Sequence, residues 1–453
     1  MAFLSLFTLH SSNMRSLITR FLTFALRLFF REIEVAGAEK VPTDAPVIFV
    51  VNHPNGLIDP LFLLSFAPRP VSFLAKAPLF RWPVIGFIVR KLDSIPVYRK
   101  SDNADTTKNR EMFVRAGELL ARGGSIGIFP EGTTHSDPKL RVLKTGAARI
   151  ALGAAGSGRD RARVQLVPAG IYYSSKETFR SAALVSFGEP IDVPADEVDD
   201  AGEPWPLAVE RLTRELEEGL ALVTLQAESH EAMDLVARAE RLFSSGGQQT
   251  VAEELELRRR FTRGYHYLRQ RDPSVVDALR SSIDQFEAEL GAAGLDADEL
   301  RLPVRGATLR FVGRALLFLL ITLPIAAAGL IVSYPTYRFI GFLARRFSQG
   351  EDEVLATFKF IGAISLYPLT WIVEALLVRH LWSTAAAIWF FVVAPAASYA
   401  AVWVFERIDH IVGRARAVSQ LLRSRTGYLR LVAQRKAIRE RIVAVGEELG
   451  YRP

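Results

Sequence analysis

The chain has 453 residues, enough for two or three domains and a sizeable buried core. Its 56 basic and 49 acidic side chains leave a net charge of +7 and an isoelectric point near 9.6, a modest excess that suits anionic lipid headgroups, acidic small substrates or nucleic acid. The absence of cysteine excludes a disulfide scaffold, a thiol nucleophile and a cysteine-ligated metal, and a mean hydropathy of +0.17 requires apolar residues to be concentrated somewhere.

The apolar run at 3–9 lacks a basic flank before it and a small-residue cleavage site after it, so it does not read as a signal peptide. Residues 15–31 read as a basic amphipathic helix. Arg20, Thr23, Arg27 and Arg31 share one stripe, and Phe21, Leu22, Leu26, Leu28 and Phe29 take the remaining arc. That stretch is too short to span a bilayer but suits one lying in the interface; the alternative is a helix packed on a soluble core. Segment 1–35 is assigned to this membrane-interface helix.

Residues 36–200 alternate strands and helices. Strands are predicted at 45–52, 124–132 and 163–173, with helices at 106–122 and 144–155. The expected fold class is α/β, a mixed β-sheet covered by helices. Residues 201–305 turn polar and charge-dense with helical period and form a predicted helical arm. Segment 306–406 holds three long apolar stretches, at 315–332, 357–378 and 383–405. The first and third meet the length criterion for transmembrane helices, while the second carries Lys359, Pro368 and Glu374. Segment 407–453 reads as a basic helical tail of exposed helices. Arg301, Arg305, Arg310 and Arg314 precede the first stretch, and Arg407, Arg414, Arg416, Arg423, Arg425 and Arg430 follow the third. Basic residues favour the cytoplasmic side, so both flanks ask for an even number of crossings and one stretch is expected to be re-entrant or interfacial.

Four clusters could carry chemistry. The first is Asn52-His53-Pro54-Asn55-Gly56-Leu57-Ile58-Asp59-Pro60, directly after a predicted strand. A carboxylate that accepts from one imidazole nitrogen fixes the tautomer and leaves the other nitrogen to take a hydroxyl proton; a turn with a capping Asp would use the same residues structurally. The second is Ile128-Phe129-Pro130-Glu131-Gly132-Thr133-Thr134-His135-Ser136, which a strand delivers to a glycine-containing loop. In the third, an apolar strand ends in Arg99 and Lys100, with Lys76 upstream. A guanidinium pairs two phosphate oxygens at once, although a surface charge is the commoner role. The fourth, Leu166-Val167-Pro168-Ala169-Gly170, is a kinked core strand on its own terms.

Taken together, in this order and spacing, the four blocks resemble the lysophospholipid and glycerol-3-phosphate acyltransferase superfamily, whose blocks are NHxxxxD, an apolar-Pro-x-Arg pattern, FPEGT(R) and a VP-containing strand. The resemblance covers about residues 45–193. It implies that His53 is the general base and Asp59 its orienting partner, that Arg99 binds the acceptor phosphate, and that Glu131, Gly132 and Thr133 line the acceptor site. Asn52, Lys76 and Lys144 complete the expected substrate-binding set. The chain departs from the pattern twice. Five residues instead of four separate His53 from Asp59, so the dyad needs a bulge, which Asn55-Gly56 can supply through positive φ. The motif arginine is Thr134, and Arg141 and Lys144 are the candidate replacements. The longer spacing and the later LKTGAA (143–148) are similar to the fungal type of glycerol-3-phosphate/dihydroxyacetone-phosphate acyltransferase.

The resemblance implies direct acyl transfer from acyl-CoA or acyl-carrier protein to glycerol-3-phosphate or a lysophospholipid acceptor, in phospholipid biosynthesis. No cofactor or metal is implied. Membrane lipids are the expected partners, nucleic acid is not, and the expected location is the cell membrane, multi-pass, with the catalytic domain on the cytoplasmic face. Three alternatives use other features. A serine esterase would use Ser125 in the formal GxSxG match Gly123–Gly127. A metal hydrolase would draw on His53, Asp59, Glu131 and His135. A catalytically degenerate membrane scaffold would explain the long His–Asp spacing.

Overall fold

The computed structural model describes residues 2–99, 105, 107, 109–156, 163–244, 249–297, 300, 307–349 and 351–448. They form two compact units. The first holds residues 1–226, 250–255 and 350–357, and the second holds 227–249, 256–349 and 358–453.

The first unit is built on an eight-stranded mixed sheet: β1 (Glu32–Ala36), β2 (Val47–Val51), β3 (Ser72–Lys76), β4 (Ile95–Val97), β5 (Ser125–Ile128), β6 (Gln165–Tyr173), β7 (Ala182–Phe187) and β8 (Ile191–Asp192). The spatial order is β1-β7-β6-β2-β5-β3-β4, with β8 beside β6. All pairs are parallel except β6–β7 and β6–β8. β2 lies at the centre, and all five of its residues, VIFVV, are buried, as expected of a parallel strand covered on both faces.

Helices cover the sheet: α1 (Ala2–Phe29), α2 (Ile58–Phe66), α3 (Pro83–Lys91), α4 (Asn109–Ala121), α5 (Gly146–Gly156) and α6 (Pro206–Val223). One core joins Ile48 and Val50 of β2 and Ile126 of β5 to Ala116 and Leu120 of α4, Ala151 of α5, and Leu212, Leu216 and Leu220 of α6. α6 therefore belongs to this domain, and the helical arm does not begin at 201. Charge density misplaced that boundary, because α6 alternates a charged outer face with a buried Leu face.

α1 serves two surfaces. Leu22, Ala25, Leu26 and Phe29 are buried, and Phe30 just beyond packs against Phe62 and Tyr173. Leu17, Phe21, Phe24 and Leu28 are exposed along another face. The core-packing role thus accounts for half of the apolar arc, and the other half remains outward.

The second unit contains α7 (His230–Ser244), most of α8 (Val251–Arg271), α9 (Pro273–Ala292), α10 (Ala307–Ser348), α11 (Asp352–Leu381) beyond Thr357, α12 (Thr384–Arg423) and α13 (Arg425–Glu448). One core joins Leu235 of α7, Val276, Ile283 and Phe286 of α9, and Tyr428, Leu431, Ile438 and Ile442 of α13. The predicted tail is thus half buried rather than an exposed appendage; even Arg435 is buried there, donating to the Leu242 and Leu300 carbonyls.

Three helical stretches are long and apolar enough to cross a membrane: Leu317–Ser348, Val354–Leu381 and Thr384–Ile408. The second, at 28 residues, falls between the first at 32 and the third at 25, despite its charges. α10 and α12 pack through small residues. A side chain on Gly329 would collide with the Ala397 carbonyl, and the Ser333 and Ser398 hydroxyls bond to each other. α10 meets α11 through Ile340 against Gly362 and a Thr336–Thr370 hydroxyl bond of 2.8 Å.

Candidate active site

The parallel strands β2, β5, β3 and β4 end on one edge of the sheet, and three sequence clusters leave from there, where open α/β sheets place their ligands. β2 delivers Asn52 and His53. The Asn52 side chain pairs in both directions with the backbone of Ile171: its Nδ2 donates to the carbonyl at 3.1 Å and its Oδ1 accepts from the N–H at 2.7 Å. It continues the β2–β6 ladder by one rung, so the amide holds the strand end in place.

His53 then turns back. Its Nδ1 lies 2.8 Å from Asp59 Oδ2, so the added loop residue does not separate the pair. The bulge is taken up at Gly56, whose φ is +20°. Asp59 sits in the first turn of α2 and is fully buried. It also accepts from the Asn55 N–H at 2.7 Å and the Tyr173 hydroxyl at 2.7 Å. Burial pushes the Asp59 carboxyl above its ordinary range, against the lowering effect of these donors, and burial next to that carboxyl pushes the Tyr173 phenol well up. Phe129 stacks on the His53 ring at 4.2 Å between centroids. Among the described residues none hydrogen-bonds His53 Nε2, and the side chain keeps 16% of its surface exposed.

Glu131 is buried behind this pair. One carboxylate oxygen accepts from the His53 N–H at 3.2 Å; the other accepts from the Arg141 N–H at 3.1 Å and meets His135 Nε2. The His135 N–H in turn donates to the His53 carbonyl at 3.3 Å. Glu131 and His135 therefore tie the second cluster to the backbone of the first. The Leu57 N–H donates to Thr357 Oγ1 at 3.0 Å, a contact with residues 350–357.

The cations gather around Gly132. Arg99 Nη1 donates to the Gly132 carbonyl at 2.9 Å, and the Lys144 side chain lies so close that any side chain at 132 would strike it. Gly132 has φ +73°, a second reason for glycine there. Of the two candidate replacements for the motif arginine, Lys144 approaches this loop, whereas the Arg141 head pairs with Asp137. Thr133 is exposed at the loop tip. Lys76 ends β3 in register with Val97, two residues before Arg99.

The alternatives fare differently. Ser125 opens β5 opposite Val47, at the other end of the strands from His53, with its hydroxyl buried. A nucleophile elbow needs the serine at a strand-to-helix turn, so this geometry excludes it. No group of three His, Asp or Glu side chains is arranged to hold a metal among the described residues. The long His–Asp spacing does not support a degenerate scaffold, because the pair forms. Sequence reasoning passed over Tyr173 and Thr357. Tyr173 could have been found as the last residue of a strand whose partner strand ends two residues before His53; a threonine 300 positions from Leu57 gave no signal.

An imidazole held by a buried carboxylate, with its second nitrogen unengaged among the described residues, thus stands in the same set of strand-end loops as a glycine that two cations approach. Residues 32–172 match the family model described as Acyltransferase, and residues 235–452 match the one described as Glycerol-3-phosphate acyltransferase 2 C-terminal domain. Glycerol-3-phosphate O-acyltransferase 1 of Saccharomyces cerevisiae is 27% identical, over 81% of this chain and 61% of its own length. A 1-acyl-sn-glycerol-3-phosphate acyltransferase of Borreliella burgdorferi is 34% identical over 27% of this chain and 46% of its own. The crystal structure of the 1-acyl-sn-glycerophosphate acyltransferase PlsC from Thermotoga maritima aligns at 24% identity with a TM-score of 0.33, covering 46% of this chain and 83% of that one. The chain therefore carries an Acyltransferase domain and a Glycerol-3-phosphate acyltransferase 2 C-terminal domain, and its relatives are named glycerol-3-phosphate O-acyltransferases and 1-acyl-sn-glycerol-3-phosphate acyltransferases. It spans about three fifths of the yeast relative's length.

Proposed function

We propose that this protein is a membrane-bound O-acyltransferase that moves a fatty acyl group from acyl-CoA or acyl-carrier protein to the hydroxyl of glycerol-3-phosphate, in glycerolipid synthesis. The observation that carries this reading is the 2.8 Å contact between His53 Nδ1 and buried Asp59, which leaves Nε2 unengaged. Asp59 accepts a hydrogen bond from Nδ1–H, which keeps its proton, and so fixes the tautomer with its lone pair on Nε2. Nε2 removes the acceptor hydroxyl proton while that oxygen forms a bond to the thioester carbonyl carbon. The C–S bond then breaks, and the leaving thiolate takes the proton back from the imidazolium, returning neutral His53. Arg99 and Lys144 would hold the acceptor phosphate, with Gly132 and Thr133 lining its approach and Lys76 contributing charge from the end of β3. Asn52 and Glu131 serve the same site by fixing the loops.

The C-terminal family match and the yeast relatives' names favour glycerol-3-phosphate. Lysophosphatidate is the second reading, favoured by the names of relatives that match the catalytic domain. The reading puts the protein at the cell membrane as a multi-pass protein, with its catalytic domain on the cytoplasmic face; it is supported by the basic residues flanking the apolar stretches, which suit that side. The outward Leu17, Phe21, Phe24 and Leu28 would sit in the same interface.

The test is a membrane assay with labelled acyl-CoA against a panel of glycerol-3-phosphate, dihydroxyacetone phosphate and lysophosphatidate, on the native chain and His53→Ala. General-base assistance is worth about 10²–10⁴-fold, so His53→Ala is expected to lose transfer by that factor while the protein still enters membranes. Retained turnover in the variant would overturn the assignment of the base.

A further inference from the structure

Four helices of the second unit surround a cavity of about 200 Å³. Its wall takes Ala239 from α7, Phe261 and Gly264 from α8, Leu279 from α9 and Gly446 from α13. None of these residues belongs to the unit that holds His53 and Asp59.

Protein interiors carry few voids larger than a water molecule, because side chains interdigitate to close them. These helices do pack in that way nearby: Leu235, Ile283 and Ile442 are buried in one core, with Phe261 against it. Around the cavity the pattern reverses. Ala239, Gly264 and Gly446 bring small residues to it from three different helices. Gly264 lies in the interior of α8, where glycine is a poor helix former. A larger side chain at any of the three positions would fill part of the space. Small residues keep the space open, and the charge beside it points to what enters.

Arg260 is the one charged side chain in the wall among the described residues, and 48% of its surface is exposed, so it stands at the rim. Its Nε donates to Glu256 at 3.4 Å, an exposed helical pair of little strength. Its two Nη nitrogens have no partner among the described residues. Phe243, also in the wall, stands edge-on to Phe261 and carries the exposed Arg439 guanidinium 5.0 Å above its ring.

These features narrow the occupant. An apolar wall selects an aliphatic chain, and a dry apolar cavity of about 150 Å³ already takes a benzene molecule. An α-helix of a partner protein, about 10–12 Å across, does not enter. The planar guanidinium of Arg260 matches the two oxygens of one carboxylate. A phosphate dianion asks for more cations than this wall offers, and a nucleotide head for more polar surface.

We propose that this cavity binds a long-chain fatty acid, its aliphatic end between α7, α8, α9 and α13 and its carboxylate on Arg260. The site is additional to the acyl-transfer site and rests on neither the catalytic pair nor the apolar spans.

The test uses the full chain in phosphatidylcholine nanodiscs and palmitic acid carrying a diazirine near its methyl end. Illumination inserts the probe where the chain end lies, and peptide mass spectrometry locates it. Insertion is expected at 257–268 of α8 and 443–446 of α13, and unlabelled palmitate should displace it. Ala239→Phe fills the cavity and is expected to abolish insertion there, with a cooperative melt to show that the fold survives. Arg260→Gln changes an exposed residue and keeps the cavity. It should weaken displacement by palmitate about tenfold, the loss of one charge-assisted pair, and leave displacement by methyl palmitate unchanged. If Ala239→Phe fails to fold, unchanged palmitate displacement in Arg260→Gln overturns the proposal by itself. Insertion confined to 315–405, or absent from the second unit, would make the space a packing void and overturn it. Methyl palmitate displacing the probe as well as palmitate from the native chain would overturn the role of Arg260. Lysophosphatidate or palmitoyl-CoA displacing it more tightly than palmitate would overturn the choice of occupant. Acyl transfer is not measured, so failure of the proposed reaction leaves these outcomes unaffected.

Discussion

Residues of one kind point in opposite directions in two parts of this molecule. In β2, Val47, Ile48, Phe49, Val50 and Val51 show no exposed surface; on α10, Leu320 and Ile331 each expose 76% of theirs. The polar groups differ in the opposite sense. The sheet edge buries carboxylates, Asp59 and Glu131, each ringed by donors, whereas α10, α11 and α12 pair neutral hydroxyls at Ser333–Ser398 and Thr336–Thr370. A buried charge is tolerable where several donors converge on it, and a span bordered by lipid cannot gather them. Hydropathy alone therefore does not separate core from membrane face. Length does so for the apolar residues; charge state alone does not, because α11 carries Glu374 with one carboxylate oxygen buried and without a partner among the described residues.

The largest expected effect tests the buried charge. Asp59→Asn is expected to lower kcat by about 10²–10⁴-fold, as loss of tautomer control in a His–Asp pair does, while the fold survives. The stability change has the opposite sign. Burial raises the Asp59 pKa above its ordinary value, so the fold favours the protonated form; that contribution is present at low pH and is lost as pH rises through the raised pKa. The variant does not pay for ionisation, so it should melt higher than the native chain at pH 8, with the gap closing towards pH 4. A variant that melted lower at pH 8 would show that the donors around Asp59 outweigh its burial.

Next comes the apolar contrast. Phe49→Ala empties a fully buried site against Phe187 and is expected to cost about 3–5 kcal/mol in denaturant unfolding. Leu320→Ala in detergent micelles should stay within about 0.5 kcal/mol. Similar costs at both positions would mean that α10 packs against protein rather than lipid. The smallest effect concerns Thr357. One hydrogen bond is worth about 1 kcal/mol, so Thr357→Val should lower kcat about fivefold and shift the acid limb of the pH–rate profile, with Thr357→Ser restoring both. An unchanged profile would make Thr357 a packing residue only.

Legibility in the sequence followed the same division. β2, β5 and β6 were readable because each is an apolar run closed by a turn residue. β1 (EIEVA), β3 (SFLAK) and β8 escaped because they are short, or carry charges at the sheet's margins where one face or edge meets water. α6 looked like part of a solvated arm because its charged residues outnumber the Leu residues it buries. At the site, the His53–Asp59 pair forms, and Arg99 and Lys144 both reach Gly132. What no local pattern could give is the role of Glu131 as a brace on the His53 backbone, the Tyr173 hydroxyl on Asp59, and the reach of Thr357 to Leu57. Each depends on chain segments brought together only by the tertiary fold.

That last class of contact has a consequence in time. Glu34 accepts from the N–H groups of Val251 and Ala252 at 2.7 and 2.9 Å, and Leu57 donates to Thr357 across 300 residues of chain. A ribosome adds about 5–20 residues per second, so the loop bearing His53 waits roughly 15–60 s for the last of these partners. Through that interval the sheet can close and the apolar helices can enter the bilayer. The catalytic loop reaches its final form only after α10 has been made, and a nascent chain still short of α11 would hold the dyad residues without the full set of bonds that fix them.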